Sequence, residues 1–114
     1  MNPADTALDG TFRALADPTR RAVVQALVRG PTSVSELARP FAMAMPSFLQ
    51  HLRVLEASGL IATRKVGRVR TCSLRAEPLA AAGQWLDGQR TLWTQRLDQL
   101  DGLLLALKNQ EETP

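Results

Sequence analysis

Apolar residues recur at helical spacing through most of this chain, and one stretch breaks into strand-like runs. Over residues 4–16, Leu8, Phe12 and Leu15 mark one face of a helix that Gly10 weakens by about 1 kcal/mol relative to alanine. Asp17 and Pro18 then offer an N-cap and a first helical residue for PTRRAVVQALVR. There Val23, Ala26 and Leu27 are expected inward, Val24 and Val28 flank them, and Gly30-Pro31 ends the run. Ser33 and Glu36 have capping-box spacing and open a short helix carrying Val34, Leu37, Ala38 and Phe41, which Pro40 interrupts. Pro46 suits the first position of the next helix, where Phe48, Leu52 and Leu55 recur at i, i+4, i+7 with Leu49 beside them. Ser47, Gln50, His51, Arg53 and Val54 fall on its other side, and Ser58-Gly59 stops it.

Two β-branched runs follow, residues 60–66 and 69–74, separated by Gly67-Arg68; that is a hairpin signal, with glycine able to take positive φ in the turn. The last element, residues 76–107, opens around Pro78. It sets Leu79, Leu86, Trp93, Leu97, Leu100, Leu104 and Leu107 on a coiled-coil-like seam. Gly83, Gly88 and Gly102 lower its intrinsic helicity, so packing must hold it. Either the seam closes the core of its own subunit or it pairs with a second copy. A helix of about 30 residues is long for so small a domain, which favours pairing. The tail NQEETP is expected to fray. The fold class is therefore mainly α with a small β-hairpin, in the order α-α-α-α-β-β-α.

Length narrows this to a single domain, residues 1–114. No apolar run approaches 18 residues, so no membrane span is expected. The start, MNPADTALDG, lacks the basic and apolar regions of a secretory signal, and the one cysteine, Cys72, permits no intrachain disulfide. Both suit a cytoplasmic protein. Charge is uneven: residues 1–75 carry +6 and residues 76–114 carry −3. Between positions 60 and 75 lie Arg64, Lys65, Arg68, Arg70 and Arg75 with no acid among them, more cations than a strand edge needs to avoid aggregation. A polar-faced helix followed by a basic ribbon suits double-stranded DNA, with the helix in the major groove and the ribbon along the backbone. That arrangement is a winged helix-turn-helix, with the helix-turn-helix at 33–58 and the wing at 60–75.

Candidate contacts follow from side-chain chemistry. Gln50 can pair bidentately with adenine, and Ser47, one turn earlier, can reach base or phosphate. His51 either packs at the domain surface or touches DNA, and Arg53 is either a solvated charge or a phosphate contact. Arg64, Lys65, Arg68 and Arg70 are expected on phosphates, with Arg68 and Arg70 on one face opposite Val69 and Thr71. A homodimer would use residues 1–16 and 76–107, through Leu8, Phe12, Leu15, Leu86, Trp93, Leu97, Leu100 and Leu104. Trp85 and Trp93 fill that dimer core or flank a small apolar pocket for an effector. Cys72 packs, or senses oxidation through an intersubunit disulfide. With one histidine, one cysteine, no tyrosine and no Gly-rich phosphate loop, the chain is not expected to be an enzyme or to hold a cofactor. The rival reading is a winged helix that docks a partner protein through its helix or wing, without DNA.

In LADPTRRAVVQAL, SVSELA, QHLRVLEASGLI and the wing KVGRVRTCSL, the chain resembles the arsenic-repressor (ArsR) family of bacterial winged-helix transcription regulators. The resemblance covers nearly the whole chain and implies a dimeric repressor that blocks polymerase at a roughly palindromic operator on the nucleoid. The family often carries serines where this chain has Ala44 and Leu49, and usually a histidine at His51. Metal-sensing members place a cysteine pair in the short third helix, where this chain reads Glu36-Leu37-Ala38-Arg39-Pro40-Phe41. Others use histidine and acidic ligands on the final helix, which here has no histidine. No metal is therefore expected, since a typical site needs three or four converging ligands. The final helix WLDGQRTLWTQRLDQLDGLL is similar to a subgroup often encoded beside START-like hydrophobe-binding proteins.

Overall fold

Most helices of the chain begin where the sequence supplies a cap. The computed structural model describes residues 2–112. Helix α1 (Pro3–Leu15) is capped by Asn2, whose side chain accepts from the Ala4 N–H at 3.0 Å. Helix α2 (Pro18–Val28) is capped by Asp17, which accepts from the Arg20 N–H at 3.1 Å. Strand β1 (Thr32–Ser33) leads into α3 (Val34–Ala38), where Ser33 accepts from the Glu36 N–H at 3.2 Å. Only that half of the expected capping box forms, because the Glu36 carboxylate pairs with Arg39 instead. Helix α4 (Met45–Ala57) starts at Ala44 without a side-chain cap, and Pro46 is its second residue, not its first. Strands β2 (Ile61–Val66) and β3 (Val69–Leu74) follow, then α5 (Ala76–Glu112).

Val66 lies directly opposite Val69, so the hairpin turns on Gly67-Arg68 alone. Gly67 has φ +62°, the glycine-first pattern of a type II′ turn. The hairpin expected from sequence is two-thirds of the sheet. Strand β1 pairs antiparallel with the other edge of β3, giving the order β1-β3-β2. At two residues β1 is too short to show alternation in sequence.

The chain divides into two units, residues Met1–Ala82 and Gly83–Pro114. In the first, Val23, Leu27, Leu37, Phe48, Leu55, Leu60, Ile61 and Cys72 form the buried core. The Phe41 and Phe48 rings pack 5.3 Å apart, tying the approach to α4 to its buried stripe. Two assignments change. Val24, expected to flank, is buried, whereas Ala26 is exposed beside Ala22 along an open groove between α2 and α3. Val54, assigned to the polar side of α4, leans on the core. The buried face of α1 is Thr11 and Ala14.

In the second unit, α5 continues from Gly83 to Glu112 with no buried residue. Trp85, Leu86, Leu92, Trp93, Leu97 and Leu100 are among its exposed large apolar side chains. The tail expected to fray is helical through Glu112, while Thr113 and Pro114 lie outside the described residues. Among the described residues, no helix is long and apolar enough to cross a membrane.

Candidate nucleic-acid interface

The buried stripe of α4 turns its other face outward, leaving Ser47, Gln50 and Arg53 exposed. Gln50 and Arg53 are joined there, the Arg53 guanidinium donating to Gln50 Oε1 at 2.8 Å. An adenine read by Gln50 must therefore share that oxygen with Arg53 or displace it, which a carbonyl with two lone pairs permits. His51 is only 23% exposed at its side chain, and the structure gives its Nδ1 two neighbours. The Arg20 guanidinium reaches it at 3.2 Å, and Asp17 Oδ1 lies 3.8 Å away.

Arg20 was not among the residues expected from sequence, yet it joins three elements. Its Nε donates to the Ala14 carbonyl at 2.7 Å and its Nη2 to the Arg13 carbonyl at 3.1 Å. The neighbouring Arg21 donates to the Leu15 carbonyl at 2.8 Å. These are last-turn carbonyls of α1, where the helix leaves acceptors short of N–H partners, and that of Arg13 also takes the Ala16 N–H at 3.2 Å. One signal was visible: arginines in the first turn of a helix oppose its dipole, so they are placed there for partners outside it. Asp17 is tied into the same cluster. The Arg20 backbone N–H holds its carboxyl below the usual carboxylate range, and the charge of His51, when its ring is protonated, and that of Arg20 add to that. Arg20, Pro46, Ser47, Gln50, His51 and Val54 together border a groove of about 440 Å³.

On the wing, cross-strand register decides which cations meet. Lys65 is directly opposite Arg70, while Arg64 is opposite Thr71. Like charges directly opposite each other destabilise a strand pair, and none of the ion pairs found among the described residues involves a wing cation. Arg70 shares the face of the buried Cys72 and borders a small recess with Leu49, Leu52, Arg53, Glu56 and Thr63. Thr63 donates to Glu56 Oε2 at 2.6 Å, fastening β2 to α4. Arg68, expected on a face with Arg70, sits in the turn instead. Side-chain alternation stops at Val69, so the pairing of faces does not extend to it.

A helix-turn-helix domain model matches residues 15–64, the span from the end of α1 to β2. The chain is 42% identical over 89 residues to a helix-turn-helix-type transcriptional regulator of Mycobacterium tuberculosis, Rv2034, covering 78% of this chain and 80% of that one. The crystal structure of an ArsR family transcriptional regulator superposes with a TM-score of 0.77 at 55% identity, covering 82% of this chain and 97% of that one. This chain belongs to the ArsR family of transcriptional regulators. The transcriptional repressor SdpR of Bacillus subtilis is a more distant relative, 28% identical over 69% of this chain and 88% of its own length. As an ArsR-family protein, the chain is a DNA-binding transcriptional regulator with a mainly helical winged helix-turn-helix fold.

The residues assigned to dimerisation fall in both units. Leu8 and Leu15 are half-buried, with Leu15 against the core, and Phe12 is 37% exposed. Leu86, Trp93, Leu97, Leu100 and Leu104 are all exposed, and Leu92, Leu103 and Leu105 extend the apolar surface beyond the stripe read from sequence. Cys72 is fully buried, and that burial pushes its thiol pKa up, so it packs as a small apolar side chain.

Proposed function

We propose that this ArsR-family regulator is a homodimeric repressor acting on a roughly palindromic operator. Each subunit lays α4 in a major groove and its wing along the adjoining backbone. Ser47 and Gln50 meet base edges, His51 and Arg53 meet bases or phosphates, and Arg64, Lys65, Arg68 and Arg70 hold phosphates. One observation carries the reading: the exposed polar face of α4 runs into a wing whose cations form no ion pair among the described residues, with Arg53 and Arg70 bordering one recess. An anion between Lys65 and Arg70 would relieve their mutual repulsion. Residues 1–16 and 76–107 serve as dimerisation helices, and the whole of 1–114 works as one winged-helix domain. Support comes from the run of exposed leucines and tryptophans on α5, a surface of the kind that marks an interaction site.

In this reading the chain is one of the members that do not sense metals. Its one histidine has Nδ1 occupied by Arg20, and its one cysteine is sealed in the sheet, so neither is poised to share a metal. The final helix WLDGQRTLWTQRLDQLDGLL resembles that of the subgroup found beside START-like genes, and the repressor acts in the cytoplasm at the nucleoid. The test is a mobility shift and footprint on the DNA upstream of its own gene across a salt series. Binding that falls steeply with salt, with two protected half-sites about one helical turn apart, is expected. No shift at any salt would leave protein docking as the function of the helix and wing.

A further inference from the structure

We infer that Arg20 is a positioning residue for DNA recognition, its guanidinium fixing the neutral His51 ring with the proton on Nε2, where it can be given to an acceptor on DNA. The inference rests on His51 being a DNA contact. A guanidinium has only N–H donors and keeps its charge at any accessible pH. At 3.2 Å from Arg20 Nη1, His51 Nδ1 must therefore be the acceptor, and the proton of the neutral ring lies on Nε2.

Arg20 cannot simply turn away. Its Nε and Nη2 are held by the Ala14 and Arg13 carbonyls at 2.7 and 3.1 Å, so the donor facing the ring is fixed by the end of α1. The other group facing Nδ1 is Asp17 Oδ1 at 3.8 Å, an acceptor that would favour the opposite tautomer. It is the more distant of the two, and it already accepts the Arg20 backbone N–H as the cap of α2. From α4 itself, Ser47, Gln50 and Val54 border the same groove and carry no charge. With Nδ1 engaged, Nε2–H is the one donor of the ring, on a side chain that borders the groove. A ring free to exchange tautomers would offer that donor only part of the time, and its orientation would be lost.

The test begins on the unaltered protein. Nitrogen NMR of the His51 ring at neutral pH should show Nε2 protonated and Nδ1 bare. A ring protonated on Nδ1 overturns the inference without any DNA experiment. Next come variants that keep one ring nitrogen each. His51→Gln places an amide near the Nε2 position and should bind operator within about threefold of the unaltered protein, whereas His51→Asn, reaching only as far as Nδ1, should lose roughly tenfold, the worth of one hydrogen bond. Equal losses overturn the inference. Arg20→Met should lose roughly tenfold alone but little further in a His51→Ala background, since the two act as one unit. Additive losses would mean that Arg20 acts on DNA or on the fold by itself. Should Arg20→Met fail to fold, the ring spectrum and the Gln/Asn pair still decide. If the unaltered protein binds no DNA, the proposed function fails, and the ring spectrum still reports on the Arg20 contact.

Discussion

Replacing Leu97 with glutamate separates the folded subunit from its assembly. Leu97 is 43% exposed in the single chain, so within one subunit the new carboxylate remains in water and costs little. In the proposed dimer, the same position lies against apolar side chains of the other copy. An unpaired buried carboxylate carries a penalty of several kcal/mol even after relaxation. Two-fold symmetry introduces the change twice. With about 2–3 kcal/mol per copy, the dimer loses about 5 kcal/mol, which weakens its Kd between 10³- and 10⁴-fold. Sedimentation at micromolar concentration should then show a monomer with unchanged helical content by circular dichroism. Tight operator binding should vanish with it, because each reading head loses the linkage to the second half-site. A Leu97→Glu protein that stays dimeric and binds operator normally would remove α5 from the interface.

Arg68→Ala with Arg70→Ala should weaken binding almost equally on all DNA sequences and flatten the salt dependence by about 1.8 in slope, or about 0.9 per lost phosphate contact; an unchanged slope would take the wing off the backbone. Asp17→Asn keeps a capping oxygen and loses the charge. Because the folded carboxyl has a depressed pKa, its stabilisation is present above the ordinary carboxylate value and is lost as pH falls through the folded value. Urea midpoints should therefore fall more steeply on acidification for the unaltered protein than for Asp17→Asn, and parallel curves would refute the coupling. Stoichiometric Zn²⁺, Cd²⁺ or arsenite should neither bind tightly in calorimetric titration nor release DNA. A sub-micromolar site abolished by Cys72→Ser would overturn that expectation.

What was legible in the sequence was whatever a local rule controls. The stripe Phe48, Leu52 and Leu55 has a clean helical period, and all three residues are buried. Asp17 and Ser33 cap because caps act within three residues, and Gly67 turns the hairpin because its neighbours are strand formers. Helix α2 was harder, since apolar residues fill 22–24 and 26–28 and so mark two faces; tertiary packing chose Val24 over Ala26. Spacing could not reveal Arg20, whose reach to α1 and α4 is a property of a long side chain in folded space. The polar face of α4 was visible, but not the bond that joins Gln50 to Arg53 upon it.

Cys72 lies on the middle strand of the sheet, flanked in register by Thr32 on one side and Thr63 on the other. Its thiol is wholly covered and its ionisation is suppressed, so a thiol reagent meets it only in molecules whose sheet has parted. The protein thus carries a built-in stopwatch. At reagent concentrations where labelling outpaces reclosing, the rate at which its one sulfur is labelled is the rate at which the sheet opens, read at a single atom and without any mutation.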